Sequence, residues 1–462
     1  MRDLLNYNAM VNRSSGRWVA GGVVALLMVG WPTTGVAEVS NIVAEVSQTQ
    51  YATFHSNLYV TAGMVRGFTT GSPLRYPNNQ HDPARDYILS AFTSLDLIAS
   101  LHPFWFNYSS YVFTNCNNVV GAKFGTDTNA GYYIVGGHYD SADASTGQQN
   151  SPGADDNASG VAATLEAARV LRGHSFKSTL IFIGFDGEEE GLKGSYAYVD
   201  EKTTAVENHD NTRLTGIYRG SIKGMVSADM ISFNSASHPN WAQIYGGASG
   251  LSATKTNLAS AIVRYGGLTW QNSGAIAASD HWPFYSPGGV DAVILIDDHG
   301  ASPYYHTTSD RLGATYNGTN YIDYAYATKM TRGIIGYLAE QAGLVATVSV
   351  TAPDSQAFEN TGDTATFRVS RTDVYTNDLR VYYSVGGTAA PTDDYDALPG
   401  SVVISNGQAS ADVIVRPVGD VVFEGSESVI LNLLPAADYG LGAAKNAAVG
   451  ISDIQGTLIH LR

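Results

Sequence analysis

Apolar and polar positions along this chain change period three times, and each change predicts a different kind of structure. Between residues 131 and 343, continuous apolar runs alternate with helical patterns. GYYIVGGHYDS, from Gly131, reads as a buried strand running into a polar loop. SGVAATLEAARVLRG puts Val161, Leu165 and Ala168 on one helical face, with Ser159 as the expected cap. STLIFIGFDGEEEGLKGS, IKGMVSADMISF and DAVILIDDHG repeat the strand-then-polar theme. IDYAYATKMTRGIIGYLAEQAG predicts a long helix that stops near Gly343. Upstream, Tyr87, Ile88, Ala91, Leu95 and Ile98 recur at three- and four-residue steps, which predicts a further helix. Strands alternating with helices imply an α/β domain with a mixed, largely parallel central sheet flanked by helices. In such sheets, sites form beyond the carboxyl ends of the strands. The polar clusters here follow the apolar runs directly.

After about residue 345 the helical period stops. TATFRVSR, LRVYYSV, SVVISN, ADVIVRP and SVILNLLP are short alternating runs separated by Gly362, Gly387, Pro391 and Gly407. Phe367 and Val369 face one way, and Thr366 and Arg368 the other. This predicts an all-β sandwich. At the other end, Arg13 and Arg17 precede an apolar run from Trp18 to Trp31, which is short against the roughly 20 residues of a membrane span. Gly35-Val36-Ala37 then offers a small-x-small cleavage site. The expected organisation is a signal peptide over 1–37, an α/β domain over 38–344 and a β-sandwich over 345–462. It implies a secreted or periplasmic protein with no stable membrane association after cleavage; an uncleaved anchor is the alternative.

The formal net charge of −16 argues against nucleic acid, because binding a phosphate backbone needs clustered Lys and Arg. The single cysteine, Cys116, excludes an intrachain disulfide and reads as a small buried hydrophobe.

Five places hold a His or carboxylate directly after a strand-like run or in a polar loop: His138, Asp155, Glu188-Glu189, Asp229 and His306. Singly, each is ordinary surface chemistry. Together they supply what two divalent ions about 3.5–4 Å apart would need, including a bridging carboxylate. Three carboxylates and a hydroxide neutralise two dications, and two imidazoles favour zinc over magnesium or calcium.

GGHYDS, GADDNASG, GEEEGLKGS, ADMI and YHTTSD, in this order, resemble the M28 family of metallopeptidases, which includes bacterial secreted leucyl aminopeptidases. The resemblance covers roughly residues 83–340. It implies a zinc-exopeptidase-like fold and two Zn2+ per chain. Asp155 would bridge the ions, His138 and Asp229 would complete one, and Glu189 and His306 the other. Glu188 would be the general base, and Asp140 would orient the His138 imidazole. The resemblance further implies a cis peptide between Asp155 and Asp156. His281, in SDHWPF, and Tyr305, beside His306, are candidates for substrate contact. The implied activity is removal of N-terminal residues from peptide substrates by a monomeric enzyme. A carboxypeptidase, a glutaminyl cyclase or a non-catalytic adhesion protein on the same scaffold are the alternatives.

FENTGDTATFRVSR, GTAAPTDDYDALPGSVVI and FEGSESVILNL resemble a Calx-β domain. That resemblance implies Ca2+ at acidic loops, with Glu359, Asp393, Asp394, Asp420 and Glu424 as candidates. The family's closing acidic motif is reduced here to Asp453.

Overall fold

The computed structural model describes residues 33–61, 81–108, 111–142, 152–199 and 221–453. The apolar run Trp18–Trp31 lies outside them, and the expected cleavage site falls within the first described helix. Among the described residues, no helix is long and apolar enough to cross a membrane.

Three helices come first: α1 (Thr33–Ala44), α2 (Gln48–Thr61) and α3 (His81–Ser94). The central sheet is built from β1 (Ile98–Tyr108), β2 (Tyr111–Lys123), β3 (Tyr132–His138), β5 (Thr179–Phe185), β6 (Ile222–Ala228), β7 (Trp241–Gly246), β8 (Thr269–Ala275) and β9 (Ala292–Ile296). Its spatial order is β1-β2-β5-β3-β6-β9-β7-β8. The four central strands β5-β3-β6-β9 are parallel, and the β1–β2 hairpin runs antiparallel against β5. This is the α/β architecture expected from the period of the sequence. Ile98, expected on the helix, instead opens β1, because α3 ends at Ser94 and Asp96 turns the chain with φ 57°.

The continuous apolar runs follow from burial on both faces. In β5, Leu180 and Phe182 join the larger core, while Ile181, Ile183 and Phe185 join a separate core on the opposite face. The first face is covered by α1–α3, α4 (Ala158–Leu171) and α8 (Tyr324–Gln341). The second is covered by the short helices α5 (Lys193–Val199) and α7 (His281–Tyr285); α6 (Ala253–Ala261) packs with α8. Helix α4 is buried almost all round and lies close against β6. A Cβ on Gly160 would stand 2.0 Å from the carbonyl oxygen of Ala228, so only glycine permits this approach.

Helix α8 ends at Gln341, two residues before Gly343, which takes φ 73° and releases the chain into β12 (Leu344–Asp354). A small hairpin, β10 (Thr315–Tyr316) with β11 (Thr319–Asn320), precedes α8. The later strands are β13 (Gln356–Phe358), β14 (Ala365–Thr372), β15 (Leu379–Gly387), β16 (Ser401–Ile404), β17 (Ser410–Val415), β18 (Ser426–Leu433), β19 (Tyr439–Leu441) and β20 (Asn446–Ser452). They form two sheets, β17-β14-β12-β19 and β13-β20-β18-β15-β16, that share one hydrophobic core. Phe367 and Val369 point into it, and Arg368 points out to pair with Asp412. The short strand β4 (Ser175–Phe176), which belongs to the α/β part, pairs antiparallel with Leu344–Val345 of β12.

Candidate metal centre

The parallel strands deliver their polar residues to one edge. His138 is the last residue of β3, Asp229 follows β6, and Glu188 and Glu189 lie in the turn after β5. His306 comes from the loop between β9 and the small hairpin, with φ 53°. Met230 and Ser279, beside the same edge, also have positive φ, at 51° and 118°. Such backbone costs about 1–3 kcal/mol per residue and persists where surrounding contacts hold it.

The carboxylate between the two imidazoles belongs to Asp156. Its Oδ1 is 3.3 Å from His138 Nε2, and its Oδ2 is 3.2 Å from His306 Nε2. His306 Nε2 is also 3.0 Å from Glu189 Oε2, and His138 Nε2 is 3.6 Å from Asp229 Oδ1. Asp155, expected in the bridging place, points elsewhere. Its Oδ1 accepts from the Ser232 amide at 2.9 Å and from the Ser232 hydroxyl at 2.6 Å. Its Oδ2 accepts from the Tyr321 hydroxyl at 3.3 Å. With both oxygens engaged on the far side, Asp155 supports the loop and leaves the centre to its neighbour. The cis peptide is displaced by the same single residue: it joins Asp156 to Asn157.

Asn157 caps α4, where Ser159 was expected. Its Oδ1 accepts from the Gly160 amide, and its Nδ2 donates to the Ala228 carbonyl. Ser159 sits inside the helix and donates to the Asp155 carbonyl at 2.7 Å. Asp310 holds the loop from the other side. Its Oδ1 accepts from the Asp155 amide at 2.7 Å, and its Oδ2 from the Asp156 amide at 3.0 Å. This clamp was missed in the sequence, although Asp310 is the last residue of YHTTSD.

Asp140 meets His138 through its carbonyl oxygen, 3.1 Å from Nδ1, and through Oδ1 at 3.6 Å. Its Oδ2 accepts from the Glu189 amide at 3.0 Å, so it orients both the imidazole and the glutamate turn. Glu188 lies with His138 and Asp229 in a group whose ligand atoms are within 4.8 Å of one another. His138, Asp156 and Glu189 form a second such group. Glu190 is buried rather than solvated.

The electrostatics are those of crowded carboxylates around two imidazoles. Burial pushes the Glu188 carboxyl well up; His138 pulls it down, and Glu189, Asp229 and Asp280 push it further up. Burial would raise the Asp156 carboxyl, but the His138 and His306 imidazoles on either side outweigh it and hold it well below the usual carboxylate range. His306 is pushed up to about 11: burial lowers it, but Glu189 and Asp156 outweigh that. Asp280, also missed in the sequence, is buried beside this group and pushed up to about 7 by that burial.

These donors fit a pair of metal ions. Asp156 Oδ2 lies 3.2 Å from an imidazole nitrogen yet makes no hydrogen bond, and neither does the buried Glu189 Oε1. Buried carboxylate oxygens left in this way need cations. Ligand atoms within 4.8 Å of one another suit a shared ion, at metal–ligand distances of about 2.0–2.2 Å.

Residues 118–334 match the profile of peptidase family M28. This segment is similar to that family, and the match covers a little under half of the chain. Two proteins of Pyrenophora tritici-repentis called "Probable zinc metalloprotease" are similar to parts of this chain. One is 43% identical over 83 residues, 18% of this chain and 19% of the relative. The other is 35% identical over 117 residues, 25% of this chain and 22% of the relative. The chain thus spans about a fifth of the length of the curated relatives it matches. Among solved structures, an aminopeptidase from Aneurinibacillus sp. strain AM-1 aligns with 66% of this chain and 96% of its own (TM-score 0.52, 18% identity). BSAP, a zinc aminopeptidase from Bacillus subtilis, aligns with 64% and 96% (TM-score 0.51, 16% identity). Identities this low establish a shared fold.

The structure places the two substrate candidates differently. Tyr305 is 42% exposed and stacks on His306, with ring centroids 3.8 Å apart. His281 is fully buried, with Nε2 3.1 Å from the Ile276 carbonyl oxygen.

In the sandwich, Asp394, Glu424 and Glu427 bring ligand atoms within 4.8 Å of one another. Glu427 was not among the expected residues. Glu359 is buried nearby, with Asp453, Asp420 and Glu424 among its charged neighbours. Asp420 accepts from the Val422 amide, and Asp393 lies outside the cluster, 3.4 Å from the Thr392 hydroxyl.

Proposed function

We propose that this chain is a secreted di-zinc aminopeptidase that hydrolyses the N-terminal peptide bond of its substrates. The observation that supports it most is the Asp156 carboxylate lying between His138 and His306, with one oxygen toward each. His138, Asp156 and Asp229 would hold one zinc, and His306, Asp156 and Glu189 the other. Bound zinc would supply Lewis acidity and lower the pKa of water toward neutrality.

The chain's own residues do the rest. Glu188 is half-buried, and its raised proton affinity suits a group that takes a proton from water and delivers it to the leaving amine. Asp140 keeps His138 in register and anchors the amide beside Glu188. Tyr305, exposed beside the centre, would line the pocket for the first substrate side chain.

The test pairs metal analysis with turnover of leucyl-p-nitroanilide. The expected result is two zinc ions per chain and activity abolished by a chelator. Glu188→Gln should keep the metal and lose turnover. A metal-free or single-metal protein with full activity sinks the di-zinc reading, and an active Glu188→Gln sinks the role given to that base.

For the sandwich we propose a Calx-β-like domain that binds calcium at Asp394, Glu424 and Glu427. Calorimetric titration with Ca2+ should show saturable binding that Glu424→Gln weakens. No heat at millimolar calcium would dismiss it. Export follows from the N-terminal leader, and analysis of the mature N-terminus tests cleavage after Ala37.

A further inference from the structure

The turn that carries Asp156 is gripped from a part of the chain outside the matched residues 118–334. His55 lies on α2, and its ring is buried. Its Nε2 is 2.6 Å from the carbonyl oxygen of Ala154, and its Nδ1 is 3.1 Å from the Tyr324 hydroxyl at the start of α8. A carbonyl oxygen only accepts, so Nε2 carries the hydrogen and donates. Two aromatic rings flank the imidazole. Tyr51 lies nearly parallel to it, with centroids 6.3 Å apart and planes at 12°, and Tyr324 stands edge-on at 5.4 Å and 78°.

The bond matters because of the peptide group it holds. The Ala154 carbonyl and the Asp155 amide belong to one planar unit. His55 takes the carbonyl end, and Asp310 Oδ1 takes the amide end at 2.7 Å. The next unit is held in the same way: Ser159 Oγ donates to the Asp155 carbonyl at 2.7 Å, and Asp310 Oδ2 accepts from the Asp156 amide at 3.0 Å. Pinning both ends of two consecutive units fixes the backbone from which the Asp156 carboxylate reaches between His138 and His306. Ala154 is fully buried, so without His55 its carbonyl would lose this partner where water cannot replace it. Turning the unit to find another would break the bond between the Asp155 amide and Asp310. We propose that His55 is a positioning residue for the metal pair: through the Ala154 carbonyl it sets the turn that aims Asp156 between the two ions. This rests on the di-zinc reading above, and it makes α2 part of the centre.

The competing explanation is that His55 only fills space between Tyr51 and Tyr324, and two substitutions separate the two in opposite directions. His55→Gln loses the ring but carries an amide NH2 near the position of Nε2. His55→Phe keeps a ring and loses the donor. Zinc affinity, measured by chelator competition, is expected to fall about threefold to tenfold in His55→Phe, the worth of one neutral hydrogen bond. His55→Gln should stay within about twofold of wild type, even where its melting temperature is the lower of the two. With Co2+ in place of zinc, the visible absorption bands report ligand geometry; they should shift in His55→Phe and hold in His55→Gln. If His55→Phe does not fold, His55→Asn takes its place, because its amide is too short to reach Ala154, and the same loss is expected.

Wild-type zinc affinity and cobalt bands in His55→Phe would overturn the proposal, and a loss in His55→Gln would then assign the residue to packing. Equal losses in His55→Phe and His55→Gln would overturn it too. A wild-type chain that takes up fewer than two zinc ions would instead overturn the di-zinc reading, and this inference with it.

Discussion

Asp310→Asn tests how the metal centre is held. Asp310 takes two adjacent amides on its two oxygens, from Asp155 at 2.7 Å and from Asp156 at 3.0 Å. Asparagine keeps one acceptor and turns an NH2 group toward the other amide. One hydrogen bond to a carboxylate is lost, worth about 1.5–3 kcal/mol, and two buried donors then face each other, costing about 1–3 kcal/mol more. Burial, together with Asp155 and Asp156, pushes the Asp310 carboxyl up, so part of the charge contribution is already absent. The expected destabilisation of the zinc-depleted protein is about 2–4 kcal/mol, read by urea unfolding. The same change frees the loop that aims Asp156 between the histidines. Zinc affinity, measured by chelator competition, should fall about 10–100-fold, as when an outer partner of a metal ligand is removed. Unchanged zinc affinity, with a stability loss below about 0.5 kcal/mol, would refute the clamp.

Asp156→Asn should leave one or fewer tightly bound zinc ions per chain after dialysis, while Asp155→Asn keeps both and lowers stability; metal analysis showing the reverse would restore Asp155 as the bridge. His174 sits between Asp373 at 3.1 Å and Glu45 at 3.0 Å. Burial lowers its pKa, but the two carboxylates outweigh burial and raise it. Its stabilisation is therefore complete below the unfolded value near 6.5 and lost as pH rises through the higher folded value. Urea unfolding across that window should show stability falling with pH in wild type and a flatter profile in His174→Gln; equal slopes would refute it. Arg371 is buried in the sandwich and donates to the carbonyls of Gln408, Asn377, Tyr375 and Ser405. Lysine cannot reproduce that planar fork, so Arg371→Lys should cost about 2–3 kcal/mol in chemical denaturation, and a loss under 0.5 would show the fork to be dispensable.

What the sequence discloses and what it hides divide along physical lines. Burial on both faces requires strands like TLIFIGF to be apolar throughout, so the parallel core could be read from period alone. The parallel arrangement then places His138 and Asp229 at the same edge without further information. The choice between Asp155 and Asp156 is different in kind. Both are carboxylates in one turn, and the backbone between Gly153 and Asn157 decides which faces inward. That backbone is set by Asp310 and Ser232, each distant in sequence, which no local pattern reports. The helix cap failed for the same reason: Asn157 and Ser159 are both good caps, and the close approach of Gly160 to β6 selects the earlier one.

The pairing of Ser175–Phe176 with the first residues of β12 bears on how this protein can be handled. The two parts share a ladder, reinforced by the Ser175 and Thr347 hydroxyls 2.8 Å apart. A recombinant version stopped at Gly343 would strip that ladder from one side, leaving the Phe176 strand with open backbone groups, a surface prone to self-association. Expression of the α/β part alone is best attempted with the first residues of β12, Leu344 and Val345, retained.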